Sequence, residues 1–520
     1  MSTAYPEPAA HPEPPAAPAW GDDPPKPPAN PAPLCLRIQE IVARVRPALG
    51  AGDAAGIVDA AMARLRDDRL RIAVGGRLNA GKSTLINALV GQQVAATGAT
   101  ECTTLVAWFR ASHQNRIEVR RTDGGSYHVP GKPGGGVPGD LSALGSPRPE
   151  ISEIVVEVVN DRLATEYTIV DTPGMDSLSG LDDVAMDALA RADALLYVMP
   201  HPGEGDMAAL EALRRRASAS ITSANVLGVL SRIDELGDGA ADPWPDARRL
   251  AATYSARLSG LVATTIPVVG LLAQTALGDA FTEDDSRLVG RLATTATTSP
   301  LGLENALYST GSFRTWESGP LAAAERERLL SLLGRHGLRA AVEAYGRGIT
   351  GTAGLLDELR RRSGIDELLA AIRARFVAAA DRLRAVTAMA ALDDASSAGG
   401  RTPAERDALA ALRAELAEVR RHPLLRQAEL GAALADLAAR RLRLGGTEAG
   451  ALLALATGTG AAACLGLPAD ASGRLIARAA DAQIRLWRQL EDASSRVTSR
   501  HARTARELCE ALYFGAVADH

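Results

Sequence analysis

Aromatic residues and lysine are the scarcest features of this 520-residue chain: Phe, Trp and Tyr make up 3% of it, and lysine occurs only as Lys26, Lys82 and Lys132. With so few rings, the cores have to be filled by Leu, Val, Ile and Ala, within a hydrophobic share of 46%. A long chain rich in Ala, Leu, Arg and Glu but poor in aromatics leans towards extended helices. Cysteine is sparse as well. Cys35, Cys102, Cys464 and Cys509 form neither a C-x-x-C pair nor a metal-ligand spacing, which excludes a disulfide scaffold and a zinc module. Reduced thiols in a cytoplasmic protein are the simplest account. Positive charge is not in excess, the formal net charge being -5, so no nucleic-acid partner is expected. Long apolar runs are nearly absent too. Residues 449–467 carry no charge and match a membrane span in length, but they are mostly Ala, Gly and Thr. Gly458, Gly460 and Pro468 break the run, so it reads as a helix end and a loop inside a bundle.

What is present divides into four parts. Residues 1–33 hold 12 prolines and too little apolar surface to offset ordering, so they read as a disordered tail. Residues 34–69 form a helical arm, with Ile38, Ile41, Val42 and Val45 and then Ile57, Ala61 and Leu65 at helical spacing. Residues 70–380 alternate strands and helices. Strands are expected at 72–74, 105–108, 117–121, 127–129, 154–159, 168–170, 194–199, 226–230 and 266–269, with a hairpin turn at Asp123-Gly124-Gly125. Buried apolar strands separated by helices imply an α/β domain, a mostly parallel sheet with helices on both faces. Residues 381–520 read as an elongated α-helical bundle. Thr402-Pro403-Ala404-Glu405 is a capping box with Pro at the first helical position, and Leu409, Leu412, Leu416 and Val419 follow at 3-4-3 spacing. Leu430, Leu434 and Leu437 continue the pattern, and a last helix is expected to carry Ile484, Trp487, Leu490, Val497, Leu508 and Leu512.

The chemistry sits at the first strand. Gly76-x4-Gly81-Lys82-Ser83 is a P-loop between a strand and a helix. Glycines let backbone N–H groups curl round phosphates, and the helix N-terminus adds partial positive charge. Lys82, one of the three lysines, reaches the β- and γ-phosphates, and the Ser83 hydroxyl ligates Mg²⁺. Asn79, Ala80 and Thr84 complete the phosphate cradle. Asp171-Thr172-Pro173-Gly174 ends a strand, so Asp171 can hold the Mg²⁺ shell and the Gly174 N–H can sense the γ-phosphate. Thr103 and Thr104 are both candidates for the switch threonine that touches Mg²⁺, and either could instead simply begin a strand. Ser231-Arg232-Ile233-Asp234 stands where guanine readers carry [NT]-K-x-D. Asp234 can accept both N1–H and the 2-amino group, an arrangement adenine does not offer, so GTP rather than ATP is the expected substrate. A helix-capping Asp is the competing reading. Arg232 replaces the usual Lys, so its stem has to pack beside the base, and Val269-Gly270-Leu271 occupies the place of a further base loop. Arg77 reads as a surface residue more readily than as an arginine finger in cis. The residues after Gly174, Met175 and Asp176, supply no Gln or His to position water, which implies slow intrinsic turnover that needs a partner surface.

The run Asn79-Ala80-Gly81-Lys82-Ser83-Thr84-Leu85-Ile86-Asn87-Ala88-Leu89 resembles the opening of bacterial dynamin-like GTPases. Leu230-Ser231-Arg232-Ile233-Asp234-Glu235 is similar to the isoniazid-inducible (Ini-type) branch of actinobacteria, and Ser363-Gly364-Ile365-Asp366-Glu367-Leu368 looks like the start of the last GTPase-domain helix. Leu78 stands where dynamins carry a polar residue. The resemblance implies a GTPase head on a helical neck and trunk and homodimerisation through the heads, with hetero-oligomers including a paralogue as a further form. It also implies contact with anionic membrane lipids, on a cytoplasmic protein at the inner face of the cell membrane. The turn at 396–401 is the candidate lipid-facing tip. Two other readings are a ribosome-assembly or regulatory GTPase and a nucleotide-binding scaffold without turnover.

Overall fold

The computed structural model of the protein describes residues 33–95, 105–131, 136–138, 141–160, 167–172, 188–189, 191–200, 203–216, 221–236, 242–258, 260–397, 402–438, 440–458, 460–492 and 495–518. The Pro-rich segment 1–32, Thr103, Thr104, Gly174 and most of the turn at 396–401 therefore lie outside the described residues.

Two helices come first, α1 (Pro33–Val45) and α2 (Asp53–Arg66). Nine strands follow among the described residues: β1 (Leu70–Gly76), β2 (Val106–Ala111), β3 (Arg116–Arg121), β4 (Ser126–Pro130), β5 (Ile151–Val158), β6 (Tyr167–Asp171), β7 (Ala194–Met199), β8 (Val226–Leu230) and β9 (Thr265–Pro267). They form one sheet in the order β4-β3-β5-β2-β6-β1-β7-β8-β9. β6, β1, β7, β8 and β9 run parallel, as do β2 and β5. β2 is antiparallel to β6, and β3 is antiparallel to both β4 and β5. Every expected strand has its counterpart, and the β3–β4 hairpin turns at Asp123-Gly124-Gly125 with Gly124 at φ 87°.

The helices that follow are α3 (Lys82–Val90), α4 (Glu204–Arg216), α5 (Trp244–Arg257), α6 (Gly270–Leu277), α7 (Glu283–Thr298), α8 (Ala323–Gly346), α9 (Gly351–Ser363) and α10 (Ile365–Arg375). One sheet face, with Ile72, Val74, Phe109 and Ile169, packs on Leu85 and Leu89 of α3 and on Leu368 and Ile372 of α10. The other face, with Trp108, Val155, Val170 and Tyr197, packs on Leu210 and Leu213 of α4. This two-sided cover explains why β7 and β8 read as unbroken apolar runs rather than as alternations.

The remainder is helical: α11 (Ala380–Ser397), α12 (Pro403–Val419), α13 (Pro423–Ala438), α14 (Gly446–Thr457), α15 (Gly473–Glu491) and α16 (Arg496–Ala518). Ile38, Val42, Val58 and Leu65 of the first two helices share a core with Met389 and Leu392 of α11 and with Leu409, Leu412 and Leu416 of α12. The capping box closes as its sequence implies: the Glu405 N–H donates to Thr402 Oγ1 at 3.2 Å, and the Thr402 N–H donates to Glu405 Oε2 at 2.9 Å. One expectation is corrected. The stripe read as a single last helix is two helices, α15 and α16, folded back on each other. A single rod would leave both stripes short of partners. Reversal instead buries Ala480 and Trp487 against Ala505, Leu508 and Cys509, in the core that also takes Leu452 and Leu455 of α14. The uncharged stretch 449–467 thus lies partly in α14 and partly in the turn after it, and no described helix is long and apolar enough to cross a membrane.

Trp487 is 1% exposed at the centre of that last core. Trp487→Ala is expected to cost about 3–5 kcal/mol. Chemical denaturation checks this.

Candidate nucleotide site

β1, β6, β8 and β9 run parallel and end at one edge of the sheet, the place where open α/β sheets bind ligands. The P-loop leaves β1 at Gly76 with φ 145°, and a Cβ there would sit 2.2 Å from the Val198 carbonyl oxygen of β7. Only glycine fits that approach. The loop then turns through left-handed Asn79 (φ 57°) and Gly81 (φ 96°) into α3. Gly81 offers no capping side chain, so the first turn of α3 is open to an anion. The Lys82 ammonium donates to the carbonyls of Gly76 at 3.0 Å and Arg77 at 2.8 Å, which folds it back across its own loop.

Asp171 ends β6 beside Val74 of β1. Next to it, the Thr172 hydroxyl donates to the Val74 carbonyl at 3.0 Å and pins the two strand ends together. Asp171 keeps some surface at the mouth of the site, yet protein surrounds its carboxyl. Burial pushes that carboxyl up to about 7, against the pull of the Lys82 charge and the Thr172 N–H. The Lys82 charge therefore offsets the burial of this carboxyl only in part. With the Ser83 hydroxyl the carboxyl makes an oxygen donor set suited to a hard divalent cation.

The base loop is tied to the P-loop directly. The Ser231 hydroxyl donates to the Ala80 carbonyl at 2.6 Å, and the Ser231 N–H donates to Met199 at 3.0 Å. Arg232 takes a left-handed backbone (φ 53°) and stands exposed, paired with Glu235 at 3.3 Å. Asp234 follows in a turn of 3-10 helix, and burial raises its carboxyl above the ordinary range. Gly270, at the head of α6, lies against Thr84 of α3, a Cβ there meeting Thr84 Cγ2 at 3.5 Å. Among the described residues the fold therefore gathers Gly76, Asn79, Ala80, Gly81, Lys82, Ser83, Thr84, Asp171, Ser231, Arg232 and Asp234 at one edge.

Two residues here escaped the sequence reading of roles. Asn87 is buried in α3 and accepts from the N–H groups of Val94 at 2.9 Å and Ala95 at 2.8 Å, fixing the segment that follows the helix. Its place inside the P-loop run was the available signal. His336 lies on α8, which breaks at Gly334 (φ 61°, ψ -175°) where that helix crosses Leu271 and Leu272 of α6. Asp234 and His336 each feel the other's charge. Burial lowers the imidazole, and its Nε2 is buried without a hydrogen-bond partner. No motif marks a histidine so far along the chain.

With the geometry in hand, comparison with known proteins is direct. Residues 71–226 match the family model described as 50S ribosome-binding GTPase. The chain is 32% identical over 475 residues to the isoniazid-induced protein IniC of Mycobacterium tuberculosis, covering 89% of this chain and 93% of that protein. It is 23% identical over 151 residues to the bacterial dynamin-like protein of Nostoc punctiforme, 26% of this chain and 21% of that one. A solved structure described as an oligomerised bacterial dynamin pair aligns at 15% identity over 76% of this chain and 75% of its own, with a TM-score of 0.32. A score that low leaves the fold argument to the sheet order above.

Gly76→Ala has to displace a backbone carbonyl, so it is expected to cost about 1–3 kcal/mol and to abolish detectable GDP binding, measured by calorimetry. A raised acid favours its protonated form, so the metal-free fold loses stability as pH rises from the ordinary carboxylate range towards 7, while Mg²⁺ affinity gains. Below pH 7 the Mg²⁺ affinity of the GDP complex should fall by about tenfold per unit. Asp171→Asn should flatten that slope.

Proposed function

Because this chain belongs to the IniC family of bacterial dynamin-like GTPases, we propose that it hydrolyses GTP to GDP and phosphate at the carboxyl edge of its sheet, in a head that pairs with a second head at the inner face of the cell membrane. The observation that carries this reading is the convergence of Lys82, Ser83 and Asp171 with Asp234 at one edge. In this reading residues 70–380 are the head, 34–69 the neck arm, 381–520 the neck and trunk, and 1–33 a tail.

Loop N–H groups and Lys82 hold the β- and γ-phosphates. Ser83 and Asp171, with Thr103 or Thr104, hold Mg²⁺, which when bound neutralises charge on the phosphates. The Gly174 N–H senses the γ-phosphate. Asp234 accepts the guanine N1–H and 2-amino donors, and its burial makes such donors valuable. Arg232 lays its stem along the base, and the hydroxyl of Ser231 holds the base loop against the phosphate loop.

Head pairing is supported by Leu78, a large apolar side chain left 51% exposed on the P-loop itself. A second copy, or a paralogue in its place, would cover it and supply what the residues after Gly174 lack. For the lipid half, α15 presents exposed Arg474, Arg478, Arg485 and Arg488 towards solvent, a stripe suited to anionic headgroups. The ribosome description attached to the family model marks a second reading, in which RNA would stimulate turnover.

Phosphate release per head should rise with protein concentration and rise again with anionic vesicles. Lys82→Ala should lose turnover by more than about a thousandfold, as loss of the main phosphate-charge partner implies. If wild type and Lys82→Ala release phosphate alike at every concentration, the protein is a scaffold. Flotation with anionic vesicles should weaken in the Arg474→Ala/Arg478→Ala variant, and absence of flotation in every nucleotide state removes the membrane role.

A further inference from the structure

At the opposite end of the sheet from the P-loop lies a small cavity of about 90 Å³ lined by Asp67, Arg69, Arg71, Trp108, Arg110 and Arg120, with Arg191 at its rim and Thr168 and Val155 on its floor. The pleat explains the gathering. On β1, β2, β3, β5 and β6 every second residue faces this side, and the opposite set (Ile72, Phe109, Ile117, Val119, Ile154, Val156 and Ile169) faces the α3 core. Near β7 this side is covered by apolar residues of α4, but over β2, β3 and β5 it carries charge instead.

Guanidiniums outnumber carboxylates here among the described residues. Among the described residues, Arg64, Arg69, Arg71, Arg110, Arg116, Arg120 and Arg191 are seven guanidiniums, and the carboxylates among them are five: Asp67, Glu118, Glu153, Glu157 and Asp193. Each glutamate is already engaged. Glu153 accepts from Arg120 at 2.8 Å, Arg191 at 2.6 Å and the Trp108 indole at 2.9 Å; Glu157 accepts from Arg110 at 3.0 Å and from Arg116; Glu118 accepts from Arg120 at 2.9 Å.

Arg71 is the residue left over. Its guanidinium makes no hydrogen bond among the described residues, and its ion pair with Asp67 is stretched to 3.6 Å. Its side chain is only 23% exposed. It rests instead on the Trp108 ring, 5.4 Å from the centroid, while Arg191 lies 5.2 Å from the same centroid. Two like charges brought to one ring are an arrangement that a bridging anion would relieve. Burial first, then the Arg64 charge, pulls the Arg71 guanidinium down to about 10, and Asp193 and Asp67 offset this only in part.

We propose that this cavity binds one phosphate-sized oxyanion, held by Arg71 and Arg191 across Trp108 with Arg69, Arg110 and Arg120 around it. Its size admits a single tetrahedral group and excludes a nucleotide. Its place gives the ligand a mechanical consequence. Asp67 and Arg69 lie in the short segment joining α2 to β1, and α2 is fastened to the sheet a few residues earlier by the buried Arg64–Asp193 pair. An oxyanion in the cavity ties that segment to the far strands β2 and β3. It therefore stiffens the attachment of the helical arm to the sheet, without touching the nucleotide edge.

The test uses the full chain with saturating GDP and Mg²⁺, so that the P-loop is already filled. Inorganic phosphate is titrated against chloride at constant ionic strength, followed by calorimetry and by the unfolding temperature. Wild type should show saturable binding and a rise in unfolding temperature. Arg71→Gln and Arg191→Gln should each weaken the binding by about tenfold, the loss of one or two charge-assisted hydrogen bonds, with GDP affinity unchanged. Vesicles of phosphatidylcholine with and without phosphatidic acid separate the sources. Binding that needs phosphatidic acid, is competed by phosphate and is lost in Arg71→Gln identifies a lipid headgroup, and phosphate binding without vesicle binding identifies the free ion. Wild-type heats no different from chloride, or equal phosphate affinity in wild type and a folded Arg71→Gln or Arg191→Gln chain, overturn the proposal.

Discussion

At Gly76 the backbone leaves β1 so close to β7 that a single methyl group would lie 2.2 Å from the Val198 carbonyl. Much of the site follows from that approach. It lets β1 stay paired with β7 to its last residue, so that the P-loop begins level with the ends of β6 and β8. The loop must then turn within a few residues, which the left-handed backbone of Asn79 and Gly81 achieves, and α3 starts with its open N-terminus at the same level. Because the loop is that tight, the Lys82 ammonium can reach back to its carbonyls, and Ala80 comes near enough for Ser231 to grip it. Phosphate loop and base loop thereby become one rigid edge rather than two adjacent loops.

Desolvation decides the electrostatics of that edge. Asp171 and Asp234 are both carboxyls held away from water, and both are raised for that reason first. The two would be relieved by different things: the first by a cation, the second by neutral N–H donors. Enclosing acidic groups that their neighbours compensate only in part is unfavourable to the bare fold, and such groups mark places where a ligand contributes binding energy.

The helical part is joined to the sheet by a similar economy of polar contacts. Arg64 on α2 is buried against Asp193, whose carboxylate also accepts from the Arg71 N–H at 2.8 Å just before β7. Arg384 of α11 donates to the Leu65 carbonyl at 2.8 Å. The first helix pair is thus held by α11 on one side and by the sheet on the other, although the chain between α2 and α11 runs through the whole sheet and the helices packed on it. Segments far apart in sequence share one core there, as Leu65 and Leu392 do.

Local pattern was sufficient wherever one element answers to its own residues. The strands, the Asp123-Gly124-Gly125 hairpin, the P-loop and the Thr402 cap were all legible, because backbone sterics and hydrophobic period act over a few residues. Membership of a dynamin-like family was legible for the same reason: its signatures are short runs around Lys82 and Asp234. What sequence could not supply depends on partners brought from afar. That the last stripe reverses into α15 and α16 is decided by Trp487 meeting Leu508 and Cys509, and a helical period is the same on a straight rod as on a folded one. His336 beside Asp234 and Arg71 beside Arg191 over Trp108 are likewise products of packing, since like residues scattered through an arginine-rich chain carry no local mark. The sequence by itself determined which chemistry this edge can hold. The tertiary structure alone decided which charged groups are buried and beside which others, because desolvation and pairing are properties of neighbours in space.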